Sequence, residues 1–180
     1  MMNIVVYCSA QDNLADKYLQ LATALGQWIG QNGHTLYYGG ANQGLMHVIA
    51  QACHDAGGHV IGVLPKVFSH RIDSACDEVI HTDNLGDRKQ IMIDRGDVFV
   101  VLPGGIGTLD EWISTLTVMC IGDDDHRPII VIDSDGMFDA TVQQLADLTR
   151  TPFGRGKDLT RSLITRSTAD LLHILDGLSS

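Results

Sequence analysis

Apolar and polar positions along the 180-residue chain switch repeatedly between two periods. Asn3 to Cys8 is a short β-branched run closed by small and polar residues, the pattern of a strand. Residues 14–32 then place Leu14, Tyr18, Leu21, Leu25, Trp28 and Ile29 three and four apart. That spacing predicts a helix with one apolar stripe, stopped at Asn32-Gly33. The same switch recurs as strand His34–Tyr38, helix Leu45–Ala56 and strand His59–Leu64, the last broken by Pro65. From Lys66 to Asp87 the periodicity fades, which predicts loops with one short strand near Val79–His81. Helix resumes over Arg88–Asp94, and Asp97–Leu102 is a continuous apolar run of the kind buried on both faces. Helix Glu111–Ile121, strand Pro128–Asp133, helix Phe138–Thr149, strand Leu163–Thr165 and helix Ala169–Leu175 complete the series. This alternation predicts a Rossmann-like, doubly wound α/β fold: a mainly parallel sheet with helices on both faces and right-handed crossovers, one domain over residues 1–180. Ligands bind such sheets beyond the carboxyl ends of the strands, so chemistry is expected in the strand-to-helix turns.

Composition narrows the class. With 44% hydrophobic and 19% charged residues the chain reads as a soluble globular protein and not a disordered one. Twelve basic against 22 acidic side chains leave a net charge of −10, which argues against a nucleic acid polymer as partner. No apolar run approaches the roughly 20 residues that cross a bilayer, so no membrane partner is expected. The start MMNIVVYCSAQDN lacks a basic region and enters a strand at once, so it does not read as a secretory signal. Cys8, Cys53, Cys76 and Cys120 have no close pairing in sequence and read as reduced thiols of a cytoplasmic protein. The eight histidines form no His-Glu-x-x-His pattern, and no metal or cofactor is expected.

Three turns could carry chemistry. Cys8-Ser9-Ala10-Gln11-Asp12 follows the first strand without a glycine, which argues against a dinucleotide enzyme. In Tyr38-Gly39-Gly40-Ala41-Asn42-Gln43-Gly44-Leu45-Met46 two glycines have P-loop spacing, yet Leu45 and Met46 replace the Lys and Ser/Thr that triphosphate hydrolysis needs. These glycines either bring a ligand close to backbone or merely make the turn. The third turn, Leu102-Pro103-Gly104-Gly105-Ile106-Gly107-Thr108-Leu109-Asp110-Glu111, carries more. Three glycines in four residues bare successive amides ahead of a helix expected near Thr108, a pocket for a small anion. Thr108 and Glu111 also fit a capping box, which would tie Glu111 to its own helix. Upstream, a helix starting near Asp87 would point Arg88 and Lys89 at the same cleft, unless they form a solvated pair. The Asp123-Asp124-Asp125 run reads as a solvated loop.

YGGANQGLM, the Arg88-Lys89 pair and above all PGGIGTLDE resemble the LONELY GUY (LOG) family of nucleotide phosphoribohydrolases, often labelled lysine decarboxylases. The family patterns, approximately V-[FY]-C-[GS]-S, Y-G-G-[GA]-x-x-G-L-M-G, H-V-I-G-V-[IL]-P, R-K and P-G-G-x-G-T-x-x-E, are followed in order over residues 4 to about 134. The resemblance implies cleavage of the N-glycosidic bond of a nucleoside 5′-monophosphate to free base and ribose 5-phosphate. It implies Arg88 and Glu111 as the catalytic pair, and Gly104, Gly105, Gly107 and Thr108 as the phosphate-binding turn. Lys89 and Thr117 match further ligand-contacting positions, and Ser9 and Gly40 would line the cleft. The decarboxylase label finds no support, since no segment reads as a pyridoxal-phosphate site. Three departures bear on base specificity: His47 stands for the usual Gly after GLM, Ile72 for the Glu of a Pro-Arg-Glu segment, and Leu85-Gly86 for a Met-His pair.

The implied chemistry suits these residue types. Breaking the bond builds positive charge on the anomeric carbon and ring oxygen, as in glycoside hydrolysis. A carboxylate, Glu111, would stabilise that charge and orient or deprotonate water, while Arg88 would offset charge on the departing base. Gripping the 5′-phosphate supplies remote binding energy that positions the sugar. Trp112, Ile113, Leu116, Val118, Met119, Cys120 and Ile121 wrap more than one helix face. A homodimer with the cleft near its interface would cover them, as would burial under the terminal helices. The alternative function is a nucleotide or molybdenum-cofactor carrier of the same fold, which would not need both Arg88 and Glu111.

Overall fold

The computed structural model describes residues 1–121, 125–154 and 158–179. Seven strands form one sheet, β1 (Asn3–Tyr7), β2 (Thr35–Tyr38), β3 (His59–Pro65), β4 (Glu78–Thr82), β5 (Val98–Val101), β6 (Ile129–Ile132) and β7 (Leu163–Thr165). Among the described residues six α-helices connect or follow them: α1 (Asp16–Gln31), α2 (Gly44–Asp55), α3 (Leu85–Arg95), α4 (Ile106–Ile121), α5 (Asp139–Thr149) and α6 (Thr168–Ser179). All strand pairs are parallel, in the order β4-β3-β2-β1-β5-β6-β7. The doubly wound α/β expectation holds. The chain runs outward from β1 to β4 and returns to the other side of β1 at β5, so β1 and β5 flank the switch point where a crevice opens.

Strand side chains alternate between two cores. Ile4, Val6 and Cys8 pack with α1, α2 and α6, through residues such as Leu25, Ile49 and Leu171. Val5 and Tyr7 face the other layer with Phe99, Met92, Trp112 and Leu116. Burial on both faces explains the unbroken apolar runs of the central strands. Pro65 closes β3 rather than lying beyond it, since the last position of a strand needs no further ladder donor.

Two helix starts differ from expectation, and both matter for the crevice. α3 begins at Leu85 because Asn84 caps it, its Oδ1 accepting from the Asp87 amide at 2.9 Å. α4 begins at Ile106, two residues before the predicted Thr108, with Leu109 N donating to Gly105 O at 3.1 Å. Thr108 and Glu111 therefore lie inside the helix, and the capping-box reading is corrected: glycine starts α4, not threonine. Of the apolar residues on α4, Trp112, Leu116 and Met119 enter this chain's own core beside α5. Ile106, Val118 and Ile121 remain exposed, so own-chain packing covers only part of the helix. No helix among the described residues is long and apolar enough to cross a membrane.

Candidate active site

Beyond the carboxyl ends of β1 and β5 lies a cleft of about 260 Å³. Its walls come from the turn after β1 (Cys8 to Gln11), Met46 of α2, Leu85, Arg88 and Lys89 of α3, and the start of α4. Arg88 sits on the first turn of α3 and aims across the cleft at Glu111, on the second turn of α4. Arg88 Nη2 approaches Glu111 Oε1 to 2.7 Å, with side-chain exposures of only 12% and 6%. The approach is off the N–H axis, so it is a charge contact and not a hydrogen bond. Arg88 Nε and Glu111 Oε1 both lack a hydrogen-bond partner among the described residues. Two buried polar atoms left unpaired are costly in a fold and mark where a ligand belongs. Burial pushes the Glu111 carboxyl above its ordinary range, opposed chiefly by the Arg88 guanidinium.

Several contacts hold Glu111 in place. Its backbone carbonyl accepts from Thr115 Oγ1 at 2.9 Å, and the Tyr7 hydroxyl, 2.9 Å from Thr115 Oγ1, donates into the same chain. The neighbouring Trp112 is fully buried, donates to Ser162 Oγ at 3.0 Å and meets Phe138 edge-on at 5.5 Å. The helix is thus pinned to β1 on one side and to the β7 region on the other.

The glycine turn presents open amides. The first N–H groups of α4, at Ile106, Gly107 and Thr108, have no acceptor inside the helix. A Cβ at Gly105 or Gly107 would meet nothing within 4 Å, and neither residue has a positive φ. Neither packing nor backbone geometry demands glycine at these two positions; what glycine leaves is bare backbone facing the cleft. Gly104 differs, because a Cβ there would collide with the Thr108 side chain.

The expected site residues divide. Ser9, Arg88, Lys89, Gly105, Gly107, Thr108 and Glu111 line one cleft. Lys89 reaches it with its ammonium engaged, 2.8 Å from both Asp110 oxygens and 3.0 Å from Ser114 Oγ. Ser9 Oγ accepts from the Gln11 amide at 3.0 Å. Gly104 is buried behind the turn. Gly40 is buried too, with a φ of +72° and Gly62 Cα 3.2 Å from where its Cβ would be, so it seats the turn against β3 instead of walling the cleft. Thr117 lies on the exposed face of α4, in a shallow depression with Ile106, Ile113 and Val118, and bonds Ile113 O at 2.7 Å. Sequence reasoning missed Gln11, Met46 and Leu85 as lining residues. It also passed over Gly39, where a Cβ would strike Arg88 Nη2; the paired glycines of YGG were the available signal. His47 is held through Nδ1 by the buried Asp73, 3.1 Å from each oxygen, outside the cleft. Among the described residues no group of three or more His, Cys, Asp or Glu could hold a metal ion. Asp123 and Asp124 lie outside the described residues, while Asp125 pairs with Arg127 at 2.6 Å.

Residues 46–175 match the family model described as "Possible lysine decarboxylase". The chain is 38% identical over 171 residues to the cytokinin riboside 5′-monophosphate phosphoribohydrolase of Mycobacterium tuberculosis, covering 94% of this chain and 90% of that protein. It is 33% identical over 168 residues to the protein of that activity named LOG in Oryza sativa subsp. japonica, covering 92% and 69%. Among solved structures, the molybdenum cofactor binding protein of Rippkaea orientalis superposes with a TM-score of 0.77 at 24% identity, over 100% and 99% of the two chains. The molybdenum cofactor carrier protein of Chlamydomonas reinhardtii gives 0.77 at 24%, over 98% and 97%. At that identity the likeness shows the fold alone.

Proposed function

The chain belongs to the LONELY GUY (LOG) family of nucleotide phosphoribohydrolases, and on that premise we propose that it hydrolyses the N-glycosidic bond of a nucleoside 5′-monophosphate, AMP or an N6-substituted cytokinin relative. The observation that carries the reading is the buried Arg88–Glu111 pair with unpaired polar atoms, set beside the open amides of α4. The 5′-phosphate occupies the helix amino terminus at Gly105–Thr108, where amides and helix dipole favour a dianion. That grip sets the sugar over Glu111, whose ionised carboxylate stabilises the oxocarbenium-like charge and directs water to C1′. The C1′–N bond breaks with its electron pair leaving on the base, water adds its hydroxyl to C1′ to complete ribose 5-phosphate, and the proton it gives up to Glu111 passes to the base. Arg88 offsets the charge on the departing base. A carrier needs only to hold its ligand, and the Arg88–Glu111 pair favours cleavage.

The exposed apolar residues Ile106, Val118 and Ile121 support self-association through α4, and we place the cleft beside a homodimer interface. Cys8 and Cys53 are buried and outside any disulfide, which fits a reducing compartment, the cytoplasm. The test is incubation with AMP and N6-substituted AMP, followed by detection of free base. Wild type releases base, whereas Glu111→Gln binds AMP with little change but turns over at least ~100-fold more slowly. Release by the mutant at the wild-type rate removes Glu111 from the mechanism, and no release by wild type favours the carrier.

A further inference from the structure

We propose that Gly39, at the carboxyl end of β2, is a positioning residue for the catalytic pair: its missing side chain is the slot that seats the Arg88 guanidinium against Glu111. The inference rests on the reading of Arg88 and Glu111 as the pair that cleaves the bond. Gly39 is buried, and its φ is not among the positive values of the described residues, which fall at Asn13, Gly33, Gly40, Gly44, Gly57 and Gly136. Its backbone would therefore accept alanine. What excludes a Cβ is side chain: Arg88 Nη2 would be struck first, then Met46 Sδ at 2.9 Å and Cε at 3.0 Å. These are the ends of flexible chains, so they would yield before the sheet did.

Arg88 depends on this slot because little else fixes it. Nε has no hydrogen-bond partner, and the 2.7 Å contact of Nη2 with Glu111 is not a hydrogen bond. A guanidinium held by shape takes its position from the walls around it, here Gly39 and Met46. One methyl group at residue 39 displaces Nη2 from the carboxylate. The charge that opposes the burial of Glu111 then recedes, and burial acts on that carboxyl with less opposition.

Gly39→Ala tests this with four measurements: kcat and KM for AMP, the pH dependence of kcat, the melting temperature, and the Glu111 titration followed by carboxyl 13C NMR. The expected outcome is a folded protein with kcat lowered about 10–100-fold, the loss typical of a catalytic group misplaced by an ångström. KM changes little, because on the proposed reading the phosphate is gripped by the α4 amides and not by Arg88. The acid limb of the pH profile and the NMR titration of Glu111 both move to higher pH. A folded Gly39→Ala with wild-type kcat and unmoved Glu111 titration overturns the proposal. Should wild type release no base, the functional reading fails, and the NMR titration still decides whether Gly39 seats Arg88. If Gly39→Ala alone does not fold, Gly39→Ala/Met46→Ala is compared with Met46→Ala. Removing the thioether makes room for the methyl while Nη2 is still struck, so the same shift is expected, and its absence overturns the proposal.

Discussion

Glu111 is placed where ionisation weakens the fold, while the proposed mechanism calls for the ionised form. Its carboxyl is 6% exposed, and burial raises its proton affinity more than Arg88 lowers it. A carboxyl whose folded pKa stands above its unfolded value binds protons more tightly in the native state. Stability from that group is therefore present at low pH and is lost as pH rises through the folded pKa. Glu111→Gln, neutral at every pH, should melt at a higher temperature than wild type at pH 8, with the gain shrinking toward pH 5. Paired calorimetric scans across that range check the sign, and a mutant that melts lower at pH 8 would show that Arg88 outweighs burial. On the proposed mechanism the same elevation should place the acid limb of kcat above the usual carboxylate value of about 4.3, because the protonated acid could neither stabilise positive charge nor deprotonate water. Stability given up at Glu111 is the pattern expected if the proposed catalytic role is right.

At the scale of elements, the amino terminus of α4 separates glycines that the fold requires from glycines it does not. Gly104 is required, since the Thr108 side chain packs where its Cβ would be. Gly107 is the second residue of the helix, with open space around it and ordinary φ. Gly107→Ala should leave the melting temperature unchanged or raise it, by helix propensity worth up to about 1 kcal/mol. It should raise KM for AMP about tenfold, equivalent to about 1.4 kcal/mol of weaker phosphate binding. Unchanged KM in steady-state assays would remove the turn from phosphate binding. Most strands and helices of the described residues were legible from periodicity, because apolar strands alternate with long amphipathic stripes, whereas β4 lay where the pattern fades, its side chains being largely half-buried or exposed. The ends of α3 and α4 were less so: Asn84 and Gly105 start helices that periodicity begins at Arg88 and Glu111, since first turns carry few apolar residues. The cleft residues Ser9, Arg88, Lys89 and Glu111 were legible through the motifs. Gly39 and Gly40 were not distinguishable, because the sequence does not tell which glycine faces Arg88 and which faces Gly62. Gln11, Met46 and Leu85 carried no signal of their own; only the three-dimensional meeting of β1, α2 and α3 makes them walls.

Across the whole molecule, the sheet leaves its crevice at one end and ties its chain ends together at the other. His34, ahead of β2 and 4% exposed, accepts from the Met2 amide at Nδ1 (3.2 Å) and lies 3.2 Å from Ser179 Oγ at Nε2. Ser179 Oγ donates to Leu175 O at 3.0 Å, so the His34 Nε2–H donates to Ser179 and the ring is neutral. Trp28 Nε1 adds a bond to Asp176 at 2.7 Å, joining α1 to α6 in the same region. Protonating His34 would place a proton on Nδ1, against the Met2 amide, and break the clasp between β1 and α6. Burial, aided by the amino-terminal charge, lowers the His34 pKa. A histidine with a folded pKa below its unfolded value, about 6.5, contributes stability that is present above that value and is lost as pH falls through it. Glu111, raised where His34 is lowered, works in the opposite direction, so the two must be separated by difference. The carboxylates held below their ordinary range, such as Asp125 and Asp158, lose their contribution only in more acidic solution. His34→Gln should melt about 2–4 °C below wild type at pH 7.5, the shift expected for about 1 kcal/mol of weakened hydrogen bonding. By pH 5.5 the gap should narrow, because only wild type then bears the penalty of a ring that the fold keeps neutral. Melting curves of both proteins at the two pH values decide it, and a gap that stays constant or widens would show that the clasp tolerates a charged ring.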